Sequence, residues 1–151
     1  MKKLCLCVAA LISTLVIADT APVTVSDAFV RVPIAGQKNS AAFMTLHNHG
    51  TDKQSLVAVE TSLAETAELH SHTMTEGMMR MRREASIDIA PGSRVHLEPG
   101  SLHIMLFNLQ HTIRTGDTAA FTLIFADGRR LPVTVPVKSV FDNDSGHQHH
   151  H

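Results

Sequence analysis

The feature that most limits what this chain can fold into is its punctuation. From residue 23 to residue 137, short runs of β-branched and apolar residues follow one another, separated by turn signals at Pro33, Asn48-His49-Gly50, Pro91-Gly92, Pro99-Gly100 and Asp127-Gly128. Alternation at period two turns one side of such a run towards a core and the other towards water. The pattern predicts strands over residues 23–26 and 28–32, 41–47, 55–60, 78–82, 87–89, 94–97, 102–109, 119–125 and 131–137. Asp127-Gly128 joins the last two as a hairpin, because both residue types tolerate the left-handed backbone such turns need. Residues 64–69 could pass for a helical turn, but Thr66, Glu68 and His70 alternate, so a strand is expected through His70, followed by a loop over residues 73–77. Many short strands at this spacing predict an all-β sandwich or barrel. With no linker, repeat or change of composition, the expected organisation is a single domain over residues 19–141 and a polar, His-rich tail over residues 142–151.

Residues 1–18 read as a signal peptide. Lys2 and Lys3 precede an apolar run over residues 4–17, and Val16-Ile17-Ala18 fits the small-residue rule for cleavage. The run is shorter than the ~20 residues a spanning helix needs, so no membrane span is expected after cleavage. Cys5 and Cys7 lie inside the run rather than at its end, which argues against lipid attachment. Loss of 18 of the 151 residues leaves 133, enough for one domain with a core. Both cysteines leave with the leader, so the mature chain offers no thiolate. Of 13 basic side chains, 11 remain without Lys2 and Lys3, against 14 acidic ones; with no basic run, Tyr or Trp, nucleic acid is not an expected partner.

Methionine and histidine are concentrated in one window. Five of the six methionines beyond Met1 lie between Met74 and Met105, close to His70, His72, His96 and His103. The segment holding Met74, Met78, Met79 and Met81 also carries Thr73, Glu76, Gly77 and Arg80, too polar to be wholly core. Thioether sulfur is a poor ligand for zinc, magnesium or calcium and a good one for Cu(I). In His103-Ile104-Met105, period two sends His103 and Met105 to one face and Ile104 to the core. His70 and Met81 flank the expected loop, so a hairpin can bring them together; His72 shares the face of His70 as an alternative or auxiliary ligand. His47, His49 and His111 read as solvated loop or turn residues, and Met44 as core. The tail residues His147, His149, His150 and His151 could bind Cu(II), Ni(II) or Zn(II), since imidazole suits all three.

The spacing from His70 through Met81 to His103 and Met105 is His, ten residues, Met, twenty-one residues, His, one residue, Met. It resembles the signature of the PCuAC family of periplasmic copper(I) chaperones. Leu69-His70-Ser71-His72-Thr73-Met74, Gly77-Met78-Met79-Arg80-Met81-Arg82 and Gly100-Ser101-Leu102-His103-Ile104-Met105-Leu106 resemble that family's metal-site blocks, and the likeness extends over residues 28–137. The resemblance implies a cupredoxin-like Greek-key β-sandwich, with Cu(I) held by His70, Met81, His103 and Met105. It also implies a periplasmic, non-enzymatic role in carrying copper towards the CuA centre of cytochrome c oxidase, with the oxidase CuA domain or other periplasmic copper chaperones as transient partners. Some members bind Cu(II) on a Met/His-rich extension; the tail here has histidine without methionine.

Elementary coordination chemistry agrees. Two neutral imidazoles and two thioethers add no charge, and Cu(I) accepts a tetrahedral set whereas Cu(II) prefers tetragonal N and O ligands. A blue-copper electron carrier needs a Cys thiolate, which the mature chain lacks, so the fold would lack cupredoxin function. A copper buffer that sequesters the same ion without delivery would need the same ligands. Ser-His-Asp hydrolysis has no support, since no Gly-x-Ser-x-Gly occurs.

Overall fold

A computed structural model describes residues 21–139. They form ten strands: β1 (Val23–Arg31), β2 (Ser40–Asn48), β3 (Gln54–Thr61), β4 (Ala64–Thr75), β5 (Met78–Arg83), β6 (Ile87–Ile89), β7 (Arg94–Leu97), β8 (His103–Leu109), β9 (Thr118–Phe125) and β10 (Arg130–Lys138). No helix occurs among the described residues. The signal peptide and the tail histidines expected from the sequence lie outside them.

The strands hydrogen-bond in the order β5-β4-β8-β2-β1-β10-β9-β3-β6, with β7 extending β8's place beside β2. All pairs are antiparallel except β1 with β10, which touch in parallel at Val30↔Val137 and Arg31↔Lys138. That junction lets one mixed sheet fold over into two layers, β5-β4-β8-β2-β1 against β10-β9-β3-β6. The chain crosses between layers after β2, β3, β5, β6 and β8, which buries alternate residues of both. Leu46, Leu56, Ile89, Ile104, Leu106, Leu123 and Val135 are completely enclosed between them. Burial of that apolar surface, at roughly 25 cal/mol per Å², is the main force holding the layers together.

Local chemistry explains the irregular points. β1 is one strand with a bulge between Ser26 and Phe29, where Asp27 takes a left-handed backbone, φ 53°; the interruption in the sequence pattern at Asp27 marks it. The Asn48 turn is tied from within: buried Asn48 donates from Nδ2 to the Asp52 carbonyl (2.8 Å) and the Ile89 carbonyl (3.0 Å), while its Oδ1 accepts from the Gly50 N–H (2.9 Å). Those three bonds satisfy a fully buried amide and clamp β2 to the start of β3 and the end of β6.

One element differs from expectation. The loop predicted over residues 73–77 is mostly strand: β4 continues to Thr75, and β5 begins at Met78. Only Glu76 and Gly77 turn the chain, both left-handed at φ 52° and 76°, as a two-residue type I′ hairpin requires. Glu is uncommon at such a position, and two threonines, a glutamate and a glycine within five residues read as a loop. The long register of β4 on β8 and β5 overrides that local signal.

Candidate metal centre

Two strand pairings assemble the site. β4 lies on β8 with His70 opposite His103, Leu69 opposite Ile104 and Glu68 opposite Met105. Leu69 and Ile104 are buried in the core, so their neighbours His70, His103, Glu68 and Met105 share the opposite face. β5 lies on β4 with Arg83 opposite His70, Met81 opposite His72 and Met79 opposite Met74. His70, His72, Met81, His103 and Met105 therefore occupy one face across three adjacent strands. His103 and His70 form its central row; Met105 lies on one side of that row and Met81 on the other.

The hairpin does bring Met81 into the site, but its direct partner is His72, and His70 sits opposite Arg83. The ring of His72 is 5.0 Å from that of His103, closer than that of His70 at 5.8 Å. His72 is thus as well placed as His70. His96 stands apart, with Nδ1 3.1 Å from Thr45 Oγ1 on the β2–β7 pair. Met44 is core, His111 is exposed, and the rings of His47 and His49 lie 3.8 Å apart.

Burial divides the set. His103 and His70 are buried although they face away from the core. Phe43 stands 6.4 Å from the His103 ring and Phe107 5.8 Å from the His70 ring, and the two phenyl groups wall the imidazoles from water. Met105 is half-buried, and Met81 is 46% exposed. The nitrogen donors are fixed and the outer sulfur is open.

Hydrogen bonds set which nitrogen is free. His103 Nδ1 lies 3.0 Å from the Ser101 carbonyl; a carbonyl only accepts, so Nδ1 carries the proton and Nε2 keeps its lone pair. The same carbonyl accepts the His72 backbone N–H at 3.2 Å, which ties the β7–β8 turn to β4. His70 donates from Nε2 to Glu68 Oε2 at 2.8 Å, and Glu68 Oε1 lies 3.7 Å from Arg83 Nε. That leaves His70 Nδ1 buried with no partner among the described residues; His72 Nδ1 is buried and unpartnered among them too. Buried lone pairs without partners are costly, and a metal ion relieves that cost. Among the described residues no group of three or more His, Cys, Asp or Glu is arranged to hold a metal ion. The donor set that fits is imidazole together with thioether, which favours Cu(I).

Electrostatics keep His103 ready. Burial pushes its imidazole below the ordinary histidine value; the Ser101 carbonyl opposes this, and facing His72, His70 and Arg31 reinforce it. His103 thus stays neutral, and able to ligate, to lower pH than a free histidine.

Glu68 and the Ser101 carbonyl were missed by sequence reasoning. Alternation places Glu68 on the face of His70, which could have flagged it; a backbone carbonyl leaves no sequence signal.

Known proteins resemble this chain to different degrees. The LpqE-like family model, "Putative lipoprotein LpqE-like", matches residues 23–137. A relative from Leifsonia xyli subsp. xyli, "Putative lipoprotein Lxx21020", is 38% identical over 117 residues, covering 77% of this chain and 69% of that protein. The solution structure of Cu(I)-DR1885 from Deinococcus radiodurans is 33% identical with a TM-score of 0.61, over 80% of this chain and 81% of its own. The copper-bound PCuAC domain from PmoF2 has a TM-score of 0.67 over 79% of this chain and 94% of its own; at 21% identity it speaks for the fold alone.

Proposed function

From the premise that the chain belongs to the LpqE-like family of PCuAC domains, we propose that it is an exported copper(I) metallochaperone. It binds one Cu(I) through His70, His103, Met81 and Met105, with His72 as auxiliary ligand. The observation that carries this reading is the direct pairing of His70 with His103 on β4 and β8, with lone pairs left free beside two thioethers on the same face. The structural likeness to Cu(I)-DR1885 supports the choice of ion.

The chemistry is carriage rather than catalysis. Ser101 and Glu68 orient the two imidazoles, Phe43 and Phe107 exclude water from them, and exposed Met81 is the ligand an acceptor can displace first. Neutral ligands leave the site with only the charge of the ion, so Cu(I) can leave without a proton or an electron moving. Residues 1–18 act as a signal peptide to the periplasm, and residues 19–141 make up the copper-binding domain. His147, His149, His150 and His151 in the tail form a separate, weaker Cu(II) site. The acceptor is the CuA domain of cytochrome c oxidase or another periplasmic copper chaperone.

Cu(I) X-ray absorption with a competitive Cu(I) titration, on protein lacking residues 142–151, tests the site. One tight equivalent with mixed nitrogen and sulfur scattering is expected; nitrogen-only scattering would make the methionines packing residues. Incubating the loaded protein with an apo CuA domain then tests delivery. Copper retained against that acceptor would favour sequestration as the role.

A further inference from the structure

The site just described leaves the outer part of the β4–β5 hairpin unused. The Glu76-Gly77 turn sets Met74 opposite Met79 and His72 opposite Met81. Residues two apart on a strand share a face, so one face of the hairpin carries a graded series from base to tip. Glu68 and Arg83 are paired near the base, His70 comes next, then His72 with Met81, and last Met74 with Met79. Thr73, Thr75, Met78, Arg80 and Arg82 take the other face, so no cation stands between the thioethers. Among the described residues Met74 and Met79 are 67% and 59% exposed, so neither packs into the core. Directly opposed residues have Cβ atoms about 4.5–5.5 Å apart and diagonal ones about 7–8 Å. Two or three flexible thioether arms can close such gaps on one ion.

We propose that Met74 and Met79, with Met81 shared, form a second and weaker thioether-only Cu(I) site at the hairpin tip, through which copper enters and leaves the histidine site. The inference rests on the Cu(I) reading of the inner site. Met81 is the pivot, since it neighbours Met79 on one side and His72 on the other. Transfer exchanges one neutral ligand for another: a sulfur–copper bond breaks as a nitrogen–copper bond forms, and copper stays at +1 with no proton released. Exposed leucine would serve as well for apolar docking, but it cannot ligate copper, and this separates the two roles.

The test is the full-length mature chain carrying Met74→Leu and Met79→Leu, compared with the unsubstituted protein, under anaerobic conditions with Cu(I) supplied as its acetonitrile complex. The unsubstituted protein is expected to bind a tight first equivalent and a weaker second one with sulfur-only X-ray absorption. The double variant should keep the first, lose the second, and load the first several-fold more slowly in stopped flow, with an unchanged unfolding midpoint. Retention of the second equivalent and of the loading rate in the double variant would overturn the proposal. So would loss of the first equivalent along with the second, because the two sites would then be one. If the unsubstituted protein had only the weak sulfur-only equivalent, the reading of the histidine site would fail, and the entry role of the tip would fall with it even though the tip bound copper.

Discussion

β8 and β5 contribute to the same face of the same sheet, yet they are built differently. β8 is hydrogen-bonded on both sides, to β4 and β2, and it sends Ile104 and Leu106 fully into the core. Among the described residues β5 is bonded only to β4, and all six of its own residues are exposed. His103 on β8 is consequently held in place and sealed from water, while Met81 on β5 stands at an open edge. The proposed copper carriage needs both behaviours at once: a fixed donor geometry that selects the ion, and at least one ligand that can give way to an acceptor. Placing them on an interior and an edge strand of one sheet supplies both without a moving domain.

The sharpest way to break this contrast is to weaken each strand in turn. Ile104→Ala should destabilise the fold by about 2–5 kcal/mol, the usual range for emptying an aliphatic core position, whereas Arg80→Ala should change stability by no more than about 0.5 kcal/mol. Urea unfolding of the two variants decides it, and equal losses would mean that β5 is as integral as β8. At the metal, His103→Ala should lower Cu(I) affinity by more than roughly 100-fold, since even outer partners of a ligand are typically worth about 10–100-fold. Met81→Ala should cost less affinity, mainly through faster release, and leave the unfolding midpoint in place. A competitive Cu(I) titration with release kinetics would expose a reversed order.

Acid should act through β8 first. The His103 imidazole titrates below 6.5 in the folded chain, so between its lowered value and 6.5 the unfolded chain holds a proton that the folded one refuses. Stability of the metal-free protein is then complete above pH 6.5 and falls as pH drops through that window. Denaturant titrations on either side of pH 6.5 should show this slope, and His103→Gln should flatten it. His47, also lowered, contributes in the same direction and leaves a residual slope. The smallest effect belongs to the turn. Glu76→Asn places a better left-handed residue in the hairpin and should raise stability by about 0.5 kcal/mol, without changing Cu(I) affinity at the inner site.

Most strands were legible because their residues alternate and their ends carry proline, glycine or asparagine. Asp27 was legible as a break, and it became a bulge within β1. The stretch from Thr73 to Gly77 was not, since Glu-Gly is a weak turn signal and threonine suits strand and loop alike. Among site residues, Ile104 in the core with His103 and Met105 on the other face followed from period two alone. The neighbour of Met81 did not follow: counting across a presumed loop pointed to His70, and the two-residue turn made it His72.

By itself the sequence determined the all-β architecture, the segregation of apolar residues to one face of each strand, and a donor inventory of imidazole and thioether with no cysteine after Cys7. Each of these depends only on residue type and local periodicity. Tertiary structure alone decided that His70 meets His103, that Glu68 and the Ser101 carbonyl choose which ring nitrogens stay free, and that one face of an edge hairpin grades from imidazole to thioether. Those depend on register between strands that are distant in sequence. A shift of one residue would send every donor to the opposite face, and the buried Leu69–Ile104 pair beneath the site makes that shift too costly to occur.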